Sequence, residues 1–216
     1  AKKILSFHKI RVPKFQISML KNPVKRLGIF PYPAFVKPLG LESSEGITQM
    51  SLVNNEKEAM ERIRYIHQKL ETDVIIEEYI EGREIYVSVM GNDRINVFPP
   101  RELFFNQVPE GEPKFATFKA KWDDIYRKKW GIHTGPAKAF PEGVEEKILS
   151  TCKKIYQILQ MSGYGRIDLR VTPSGEVVFI EANPNPAIAR NDDFPLSAQK
   201  AGLEYKALIS KIVGLA

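Results

Sequence analysis

Two acids and an amide lie where a hairpin would bring them together. Asp168 and Glu181 each lie in an apolar run, thirteen positions apart, with a Pro-Ser-Gly turn between them. Antiparallel pairing of the runs would set the carboxylates side by side, and Asn183, two positions after Glu181, points to the same face while the strand continues. Charged groups in such runs are costly unless paired or metal-bound. Because Mg²⁺ prefers carboxylate and other oxygen ligands, we predict a magnesium site; polar residues satisfied by turn amides are the alternative.

A lysine followed by a glycine- and serine-containing loop could bind phosphate. Lys37 ends a short predicted strand at 34–37, and the loop Gly40–Gly46 follows it. Backbone N–H and hydroxyl groups in such a loop can donate to phosphate oxygens. The loop is not a Walker motif, because no Gly-Lys-Ser/Thr follows. An ordinary flexible loop explains the same residues equally well.

A third candidate segment is Glu77–Glu84, in which an apolar strand runs into alternating acids. Its main-chain groups could bind a base, and Glu84 could bind a ribose. A charged strand end is the alternative interpretation.

The composition limits the class of protein. The chain has 216 residues and 43% hydrophobic content, enough for a buried core in one or two domains. No window approaches the roughly 18 apolar residues that cross a bilayer, so we predict no membrane partner. Cys152 is the only cysteine, which excludes an intramolecular disulfide and fits a reducing, cytoplasmic location. Its helical apolar surroundings indicate a small buried hydrophobe.

The net charge of +6 and the isoelectric point of about 9.2 allow either nucleic acid or a polyphosphate ligand as a partner. The basic residues are scattered, and the densest run, Arg127–Lys129, lacks interleaved aromatic residues. We interpret that run as a solvated face. Because nucleic-acid binding would not explain the acids at positions 168 and 181, we predict no nucleic-acid partner.

Periodicity predicts the helices that must position these residues. Apolar residues three or four apart predict helices at 54–70 and 144–160, and the tail from Leu196 predicts one or two more, broken at Gly202. His67 lies off the apolar stripe of the first helix, so we expect it to be exposed.

The strands are predicted in groups. Residues 74–80, 84–89 and 95–98 are joined by short turns, which favours one antiparallel sheet, and 166–181 predicts a further hairpin. Because strands and helices are segregated rather than alternating, we expect an α+β fold with antiparallel sheets.

Taken together, these pieces resemble the ATP-grasp superfamily, and more narrowly the C-terminal, ATP-binding part of the D-alanine–D-alanine ligase family. Each motif is weak by itself, but their order and spacing together are specific and run through most of the chain. The motifs are Lys2–Leu5 with Ile10–Pro13, Phe35–Pro38, Ser43–Gly46, Ile76–Ile80 with Gly82–Glu84, Lys119–Trp122, Gly135–Ala137, Gly165–Asp168 and Ile180–Pro184.

The resemblance implies roles in binding ATP phosphates. Lys37 and Lys121 would hold the phosphates, and the resemblance also implies a catalytic role for Lys121. Ser43, Ser44 and Gly46 would form a flexible lid over them.

The resemblance also implies a nucleoside site. Glu77 would accept from the adenine amino group, and the backbone of Glu78 and Ile80 would complete that edge, with Tyr79 between them. Glu84 would bind the ribose hydroxyls.

A further implied set carries the metal and the chemistry. Asp168, Glu181 and Asn183 would hold two Mg²⁺ ions that bridge the phosphates. Arg166 would stabilise charge on an acyl phosphate and on the tetrahedral intermediate.

The family architecture implies two α/β lobes whose antiparallel sheets clamp ATP between them. Residues 1–82 would form the small lobe with a central-domain helix, and 83–216 the large lobe with the metal site. The family's first domain has no counterpart here, so we expect a missing N-terminal domain in the full protein. A homodimer is compatible with the resemblance.

The implied reaction joins a small-molecule carboxylate to an amine, such as an amino acid or peptide, with ATP and Mg²⁺ as cofactors. The alternative is an ATP-binding module, or an incomplete fragment without ligase activity by itself. Glu42 stands where the family has a glycine before its two serines. Asp192-Asp193 replaces the Ser-Leu pair that holds the carboxylate of the second D-alanine. Since acids repel that carboxylate, we expect an acceptor other than D-alanine, cationic or hydroxylated.

Overall fold

The computed structural model describes residues 1–41, 44–109 and 114–215. They form two compact units, each built from separate stretches of chain. The first unit comprises residues 1–12, 81–104 and 133 onward, and the second comprises 13–80 and 105–132. The predicted lobes had a single boundary after residue 82, and the observed units do not follow it. The lobe roles given to 1–82 and 83–216 remain predictions.

Hydrogen bonds explain why distant stretches share a unit. In the first unit the amide of Phe179 donates to the carbonyl of Arg11 at 2.9 Å. In the second, the amide of Phe118 donates to the carbonyl of Ile47 at 3.2 Å. Backbone groups buried by packing need such partners, so these contacts tie each early segment to a late one.

The elements are numbered along the chain. The helices are α1 (Lys2–Phe7), α2 (Glu56–Leu70), α3 (Phe118–Trp122), α4 (Asp124–Trp130), α5 (Val144–Ile158), α6 (Asp193–Lys200) and α7 (Tyr205–Val213). The strands are β1 (Phe15–Ser18), β2 (Ala34–Pro38), β3 (Leu52–Val53), β4 (Val74–Glu78), β5 (Arg83–Met90), β6 (Asn96–Val97), β7 (Arg101–Phe105), β8 (Ile132–Pro136), β9 (Tyr164–Val171) and β10 (Val177–Pro184).

The second unit has a four-stranded antiparallel sheet with the order β1-β4-β2-β3. Helix α2 packs on it through the predicted apolar stripe. Asn55 caps the helix by accepting from the amide of Glu58 at 3.0 Å. The core shared by sheet and helix consists of Leu27, Ala34, Val36, Val53, Ala59, Ile63, Ile66, Val74 and Ile76.

His67 is buried, so the prediction of an exposed imidazole is wrong. Its Nδ1 lies 2.9 Å from the carbonyl oxygen of Thr72, and its Nε2 lies 2.9 Å from Oγ of Ser18. A carbonyl only accepts, so Nδ1 carries a proton and donates to Thr72, while Nε2 pairs with the hydroxyl of Ser18. Partners at both nitrogens offset the cost of burial, and periodicity could not reveal them.

The first unit has a larger sheet with the order β10-β9-β5-β7-β8, and β6 also pairs with β5. The predicted hairpins β5–β6 and β9–β10 are confirmed, and both are antiparallel. The expected pairing of β4 with β5 is wrong. The chain turns sharply at Gly82, where φ is +150°, and β4 takes its neighbours β1 and β2 from the other unit's sheet.

Helix α5 covers part of this sheet with a buried face that includes Ile148, Cys152, Ile155 and Tyr156. The predicted tail helices are confirmed as α6 and α7, which pack with Met90 and Phe98 around Phe194. Among the described residues, no helix is both long and apolar enough to cross a membrane.

Native Cys152 is expected to resist a thiol-specific disulfide reagent at pH 8. Its side chain is fully buried, and burial raises the pKa of the thiol far above its ordinary value, with the charge of Asp168 raising it further. Since the thiolate is the form that reacts with the reagent, the native protein should release a negligible amount of the coloured thiol product. After unfolding in guanidinium, release should reach one equivalent per chain. Full reaction in the native state would show that Cys152 is not buried on the face of α5 that packs against the sheet.

Candidate functional site

The predicted metal residues come together on the β9–β10 hairpin. Glu181 lies opposite Asp168 in the antiparallel register, just after an irregularity that follows Phe179. Asn183 Nδ2 donates to Asp168 Oδ2 at 3.1 Å. Asp168 is buried and Glu181 is exposed. The hairpin therefore sets two carboxylates and an amide at neighbouring positions, as the sequence predicted.

Arg166 occupies the same carboxylate. Its Nε and Nη2 donate to Oδ1 and Oδ2 of Asp168 at 2.7 and 2.9 Å, a bidentate pair between residues on one face of β9. Burial lowers the pKa of Arg166, but the charge of Asp168 and these hydrogen bonds raise it by more. The net effect is a rise, so the guanidinium stays a cation.

The donor set fits Mg²⁺ in its chemistry, because carboxylate and amide oxygens are hard ligands. Among the described residues, no three side chains of His, Cys, Asp or Glu are placed to hold a metal ion. The candidate site therefore depends on the amide of Asn183 as its third donor. A bound ion would also share the Asp168 carboxylate with Arg166 or displace it.

Glu84, the predicted ribose ligand, lies in a network of side chains on β5 and β9. The hydroxyl of Tyr86 donates to its Oε1 and Nη2 of Arg170 to its Oε2, both at 2.8 Å. Burial raises the pKa of Tyr86 well above its ordinary value, and the charges of Glu84 and Asp168 add to the rise. Sequence analysis did not identify Tyr86 or Arg170, although their period-two spacing from Glu84 and Asp168 was a usable signal.

In the second unit, two predicted nucleotide residues contact each other. Nζ of Lys37 on β2 lies 3.1 Å from Oε2 of Glu77 on β4, and the Glu77 side chain is only 4% exposed. The amide of Glu78 donates to the carbonyl of Lys14 at 2.8 Å. The amide of Tyr79 donates to the carbonyl of Pro33 at 3.1 Å. Ile80, two residues beyond the end of β4, is buried. The predicted adenine edge therefore begins at the last residue of β4 and continues beyond the strand.

The predicted phosphate lid is described in part. Ser43 lies outside the described residues, as does the divergent Glu42. Ser44 and Gly46 have φ of +64° and +72°. A Cβ on Gly46 would lie 2.7 Å from Cγ of Pro38, and the Gly46 carbonyl accepts from Nη2 of Arg62 at 2.6 Å. Position 46 therefore requires glycine for its backbone conformation and for its close packing.

Lys121, the other predicted phosphate ligand, lies on the short helix α3 and is half-buried. Thr117 caps this helix by accepting from the amide of Ala120 at 3.0 Å. The Lys121 carbonyl accepts from Nη1 of Arg127 at 3.2 Å. The phosphate roles of Lys37 and Lys121 remain predictions, as do the roles of the other site residues.

Lys37→Ala is expected to raise the dissociation constant for ATP about tenfold to a hundredfold, the range for losing a hydrogen bond to a charged group. The substitution also removes a cation from beside the buried Glu77 carboxylate. Isothermal titration calorimetry measures the effect. Lys153→Ala, at an exposed position on α5, controls for net charge. Equal affinities in the two variants would refute a phosphate role for Lys37.

The two acids after the metal motif have partners that the sequence did not reveal. Nε of Arg101 donates to Oδ1 of Asp193 at 2.7 Å, and the Arg101 side chain is only 10% exposed. Oδ2 of Asp192 accepts from the amide of Ala189 at 2.6 Å. Arg101 therefore compensates the charge of Asp193, and the predicted repulsion of an acceptor carboxylate depends on Asp192.

The chain is similar to D-alanine–D-alanine ligases over its whole length. Residues 4–214 match the family described as D-ala D-ala ligase C-terminus. A D-alanine–D-alanine ligase from Halothermothrix orenii is 29% identical over 100% of this chain and 61% of its own length. The uncharacterized protein y4sG of Sinorhizobium fredii is 28% identical over 95% of this chain and 58% of its own. The chain thus spans about three-fifths of these relatives.

A solved structure supports the same relationship. The VanG D-Ala:D-Ser ligase from Enterococcus faecalis superposes with a TM-score of 0.75 at 27% identity, covering 99% of this chain and 59% of that one. The predicted α+β ATP-grasp fold is confirmed by this likeness and by the antiparallel sheets. The chain belongs to the D-ala D-ala ligase C-terminus family, the ATP-grasp part of these ligases.

Proposed function

We propose that this protein is an ATP- and Mg²⁺-dependent carboxylate–amine ligase that works through an acyl phosphate. The observation that carries the proposal is the hairpin on which Arg166 and Asn183 contact the Asp168 carboxylate, with Glu181 opposite. Membership of the ligase family supports it. Phosphoryl transfer needs positioned cations and metal-binding carboxylates rather than a catalytic cysteine or histidine.

The charge of each candidate residue indicates its role in the proposed reaction. In the proposed reaction the substrate carboxylate takes the γ-phosphoryl group of ATP, and the amine then displaces phosphate to form the amide. Lys37 and Lys121 would hold the phosphate oxygens. Asp168, Glu181 and Asn183 would hold two Mg²⁺ ions, which neutralise phosphate charge when bound. Arg166, kept as a cation beside Asp168, would stabilise negative charge that develops on the acyl group.

The nucleoside would be recognised by the remaining candidates. Glu77 would accept from the adenine amino group at the end of β4, with the backbone of Glu78 and Ile80 beside it. Glu84 would accept from the ribose hydroxyls. Each of its oxygens already holds one donor and keeps a lone pair for another.

We propose a hydroxylated or cationic amino acid as the acceptor. Asp192 takes the place of the serine in the family's Ser-Leu pair, and its carboxylate can accept a hydrogen bond from a hydroxyl or ammonium group in the acceptor side chain, which D-alanine lacks. The Enterococcus relative is a D-Ala:D-Ser ligase, so D-serine is the first acceptor to test. Because the chain spans 59% of that relative, we further propose that a separate N-terminal domain of the full protein completes the substrate site. If the full protein forms a homodimer, we propose that this domain takes part in the interface.

Release of ADP, screened over pairs of amino acids with the longest natural form of the protein, tests the proposal. We expect ADP in proportion to dipeptide, with D-alanine plus D-serine ahead of D-alanine alone. Tight binding of Mg-ATP without ADP from any pair would favour the alternative, an ATP-binding module. Failure to bind Mg-ATP at all would refute both.

A further inference from the structure

Tyr86 lies between two candidate residues of the first unit. Along β5, Glu84 and Tyr86 are two apart and so share a face of the sheet. The register with β9 pairs Tyr86 with Asp168 and Glu84 with Arg170. A single aromatic side chain is therefore adjacent both to the candidate ribose ligand and to the carboxylate that holds Arg166.

The hydroxyl of Tyr86 fixes Glu84. It donates to Oε1 at 2.8 Å, while Arg170 holds Oε2 from the other side and also donates to the carbonyl of Gly82, again at 2.8 Å. A carboxylate held at both oxygens has lost its rotational freedom before any ligand arrives. Such preorganisation improves binding by reducing the entropy lost on association. The phenol stays protonated at neutral pH, because burial raises its pKa.

The ring of Tyr86 supports Arg166. The guanidinium carbon lies 4.7 Å from the ring centroid, within the range of a cation–π contact. Two hydrogen bonds to Asp168 fix the edge of the same guanidinium. Arg166 is thus held by a carboxylate through two hydrogen bonds and by the ring through the cation–π contact.

We infer that Tyr86 is a positioning residue that holds Glu84 through its hydroxyl and Arg166 through its ring. The inference rests on the proposed function, in which Glu84 binds ribose and Arg166 stabilises the acyl phosphate. It assigns one side chain to two steps, nucleotide binding and turnover. The hydroxyl serves the first and the ring serves the second, so different substitutions separate them.

Calorimetric titration of the full protein with Mg-ATP and with Mg-2′,3′-dideoxy-ATP tests the role of the hydroxyl. Wild-type protein is expected to prefer ATP, because the dideoxy analogue lacks the hydroxyls that Glu84 would bind. Tyr86→Phe should raise the dissociation constant for ATP about two- to tenfold, the worth of one hydrogen bond. The constant for the analogue should stay the same, so the preference for ATP shrinks.

Tyr156→Phe is the matched control. Tyr156 is also fully buried in the first unit, and its hydroxyl donates to the carbonyl of Gly91 at 3.0 Å. Its loss should lower thermal stability without changing the preference for ATP. If Tyr86→Phe and Tyr156→Phe change the preference for ATP over the analogue equally, the effect of Tyr86→Phe is general destabilisation and the inference is wrong.

Glu84→Ala, which removes the acceptor, separates the inference from the proposed function. If Glu84→Ala keeps the wild-type preference for ATP, the ribose assignment is wrong. If Glu84→Ala removes the preference and Tyr86→Phe keeps it, the inference is wrong and the ribose assignment stands.

Tyr86→Leu tests the role of the ring. It should reduce the preference for ATP as Tyr86→Phe does and, in addition, lower kcat about two- to tenfold through loss of the cation–π contact. Equal kcat in the two variants would overturn the ring's role. Tyr86→Phe and Tyr86→Leu both lack the hydroxyl, so the preference for ATP can be measured in each. If only one of them folds, that variant still tests the role of the hydroxyl.

Discussion

Asp168→Asn is expected to lower turnover at least about a hundredfold, the scale of losing one preorganised electrostatic contact. Asparagine keeps the shape but removes the charge that pairs with Arg166 and would ligate Mg²⁺. The Mg²⁺ dependence of ATP binding should weaken with it. Unfolding should also become easier by roughly 3 kcal/mol, because removing one partner of a buried ion pair leaves the other uncompensated.

Glu102→Gln distinguishes loss of the site from loss of stability. Glu102 holds Arg83 in another bidentate pair of the first unit, at 3.0 and 2.7 Å, with the carboxylate side chain 7% exposed. The two variants should lose similar stability in denaturant titrations, and Asp168→Asn alone should lose Mg-dependent ATP binding. Unchanged nucleotide titration and activity in Asp168→Asn would refute the metal assignment.

Gly82→Ala is expected to destabilise the protein by about 3 kcal/mol or more, since a steric collision adds to backbone strain. Gly82 has φ of +150°, where side chains are rarely found. A Cβ there would collide with the carbonyl oxygen of Val171 and lie 2.8 Å from its carbonyl carbon. These are backbone atoms of β9, which cannot rotate away, so the β5–β9 pairing must shift. Chemical denaturation monitored by circular dichroism measures the loss.

Gly143→Ala is the matched control for strain without collision. Gly143 has φ of +73°, and the described chain leaves the space within 4 Å of its Cβ position open. It should cost about 1 kcal/mol, the price of a left-handed residue with a side chain. Equal losses in the two variants would show that β9 moves aside freely, contrary to the packing at Gly82.

The candidate metal site changes how Arg166 must be understood. In the described structure its guanidinium holds both oxygens of the Asp168 carboxylate, the same oxygens that a cation would use. The arginine therefore contributes to the stability of the hairpin. A bound Mg²⁺ would compete with Arg166 for these oxygens, whereas the contact of the guanidinium with the ring of Tyr86 does not involve them.

Much of the fold follows from the sequence. Helix α2, helix α5 and both hairpins were predicted because the apolar periods of 3.6 and 2 are local properties of the chain. The hairpin that carries Asp168 and Glu181 followed from the same logic, but the register set by the turn would place Ile180 opposite Asp168. An irregularity between Phe179 and Glu181 brings Glu181 to that position instead. Order and spacing of motifs were also sufficient to identify the family.

Contacts between distant segments could not be predicted. Periodicity assigned His67 to the polar side of its helix, but a hydroxyl from β1 and a nearby carbonyl satisfy its ring and bury it. The same limit applied to Asp193, whose charge is compensated by Arg101, 92 positions away in the sequence. A partner that lies far along the chain leaves no local pattern.

The sequence by itself determined the hairpin that carries Asp168, Glu181 and Asn183, because a turn between two apolar runs is a local signal. The structure supplied the irregularity after Phe179 that places Glu181 opposite Asp168. The tertiary structure decided what that hairpin touches. It set Tyr86 of β5 against Glu84 and Arg166, and it moved β4 into a separate sheet. Strand order is chosen by burial and by backbone hydrogen bonds over the whole chain, so it becomes visible only when all the segments are folded together.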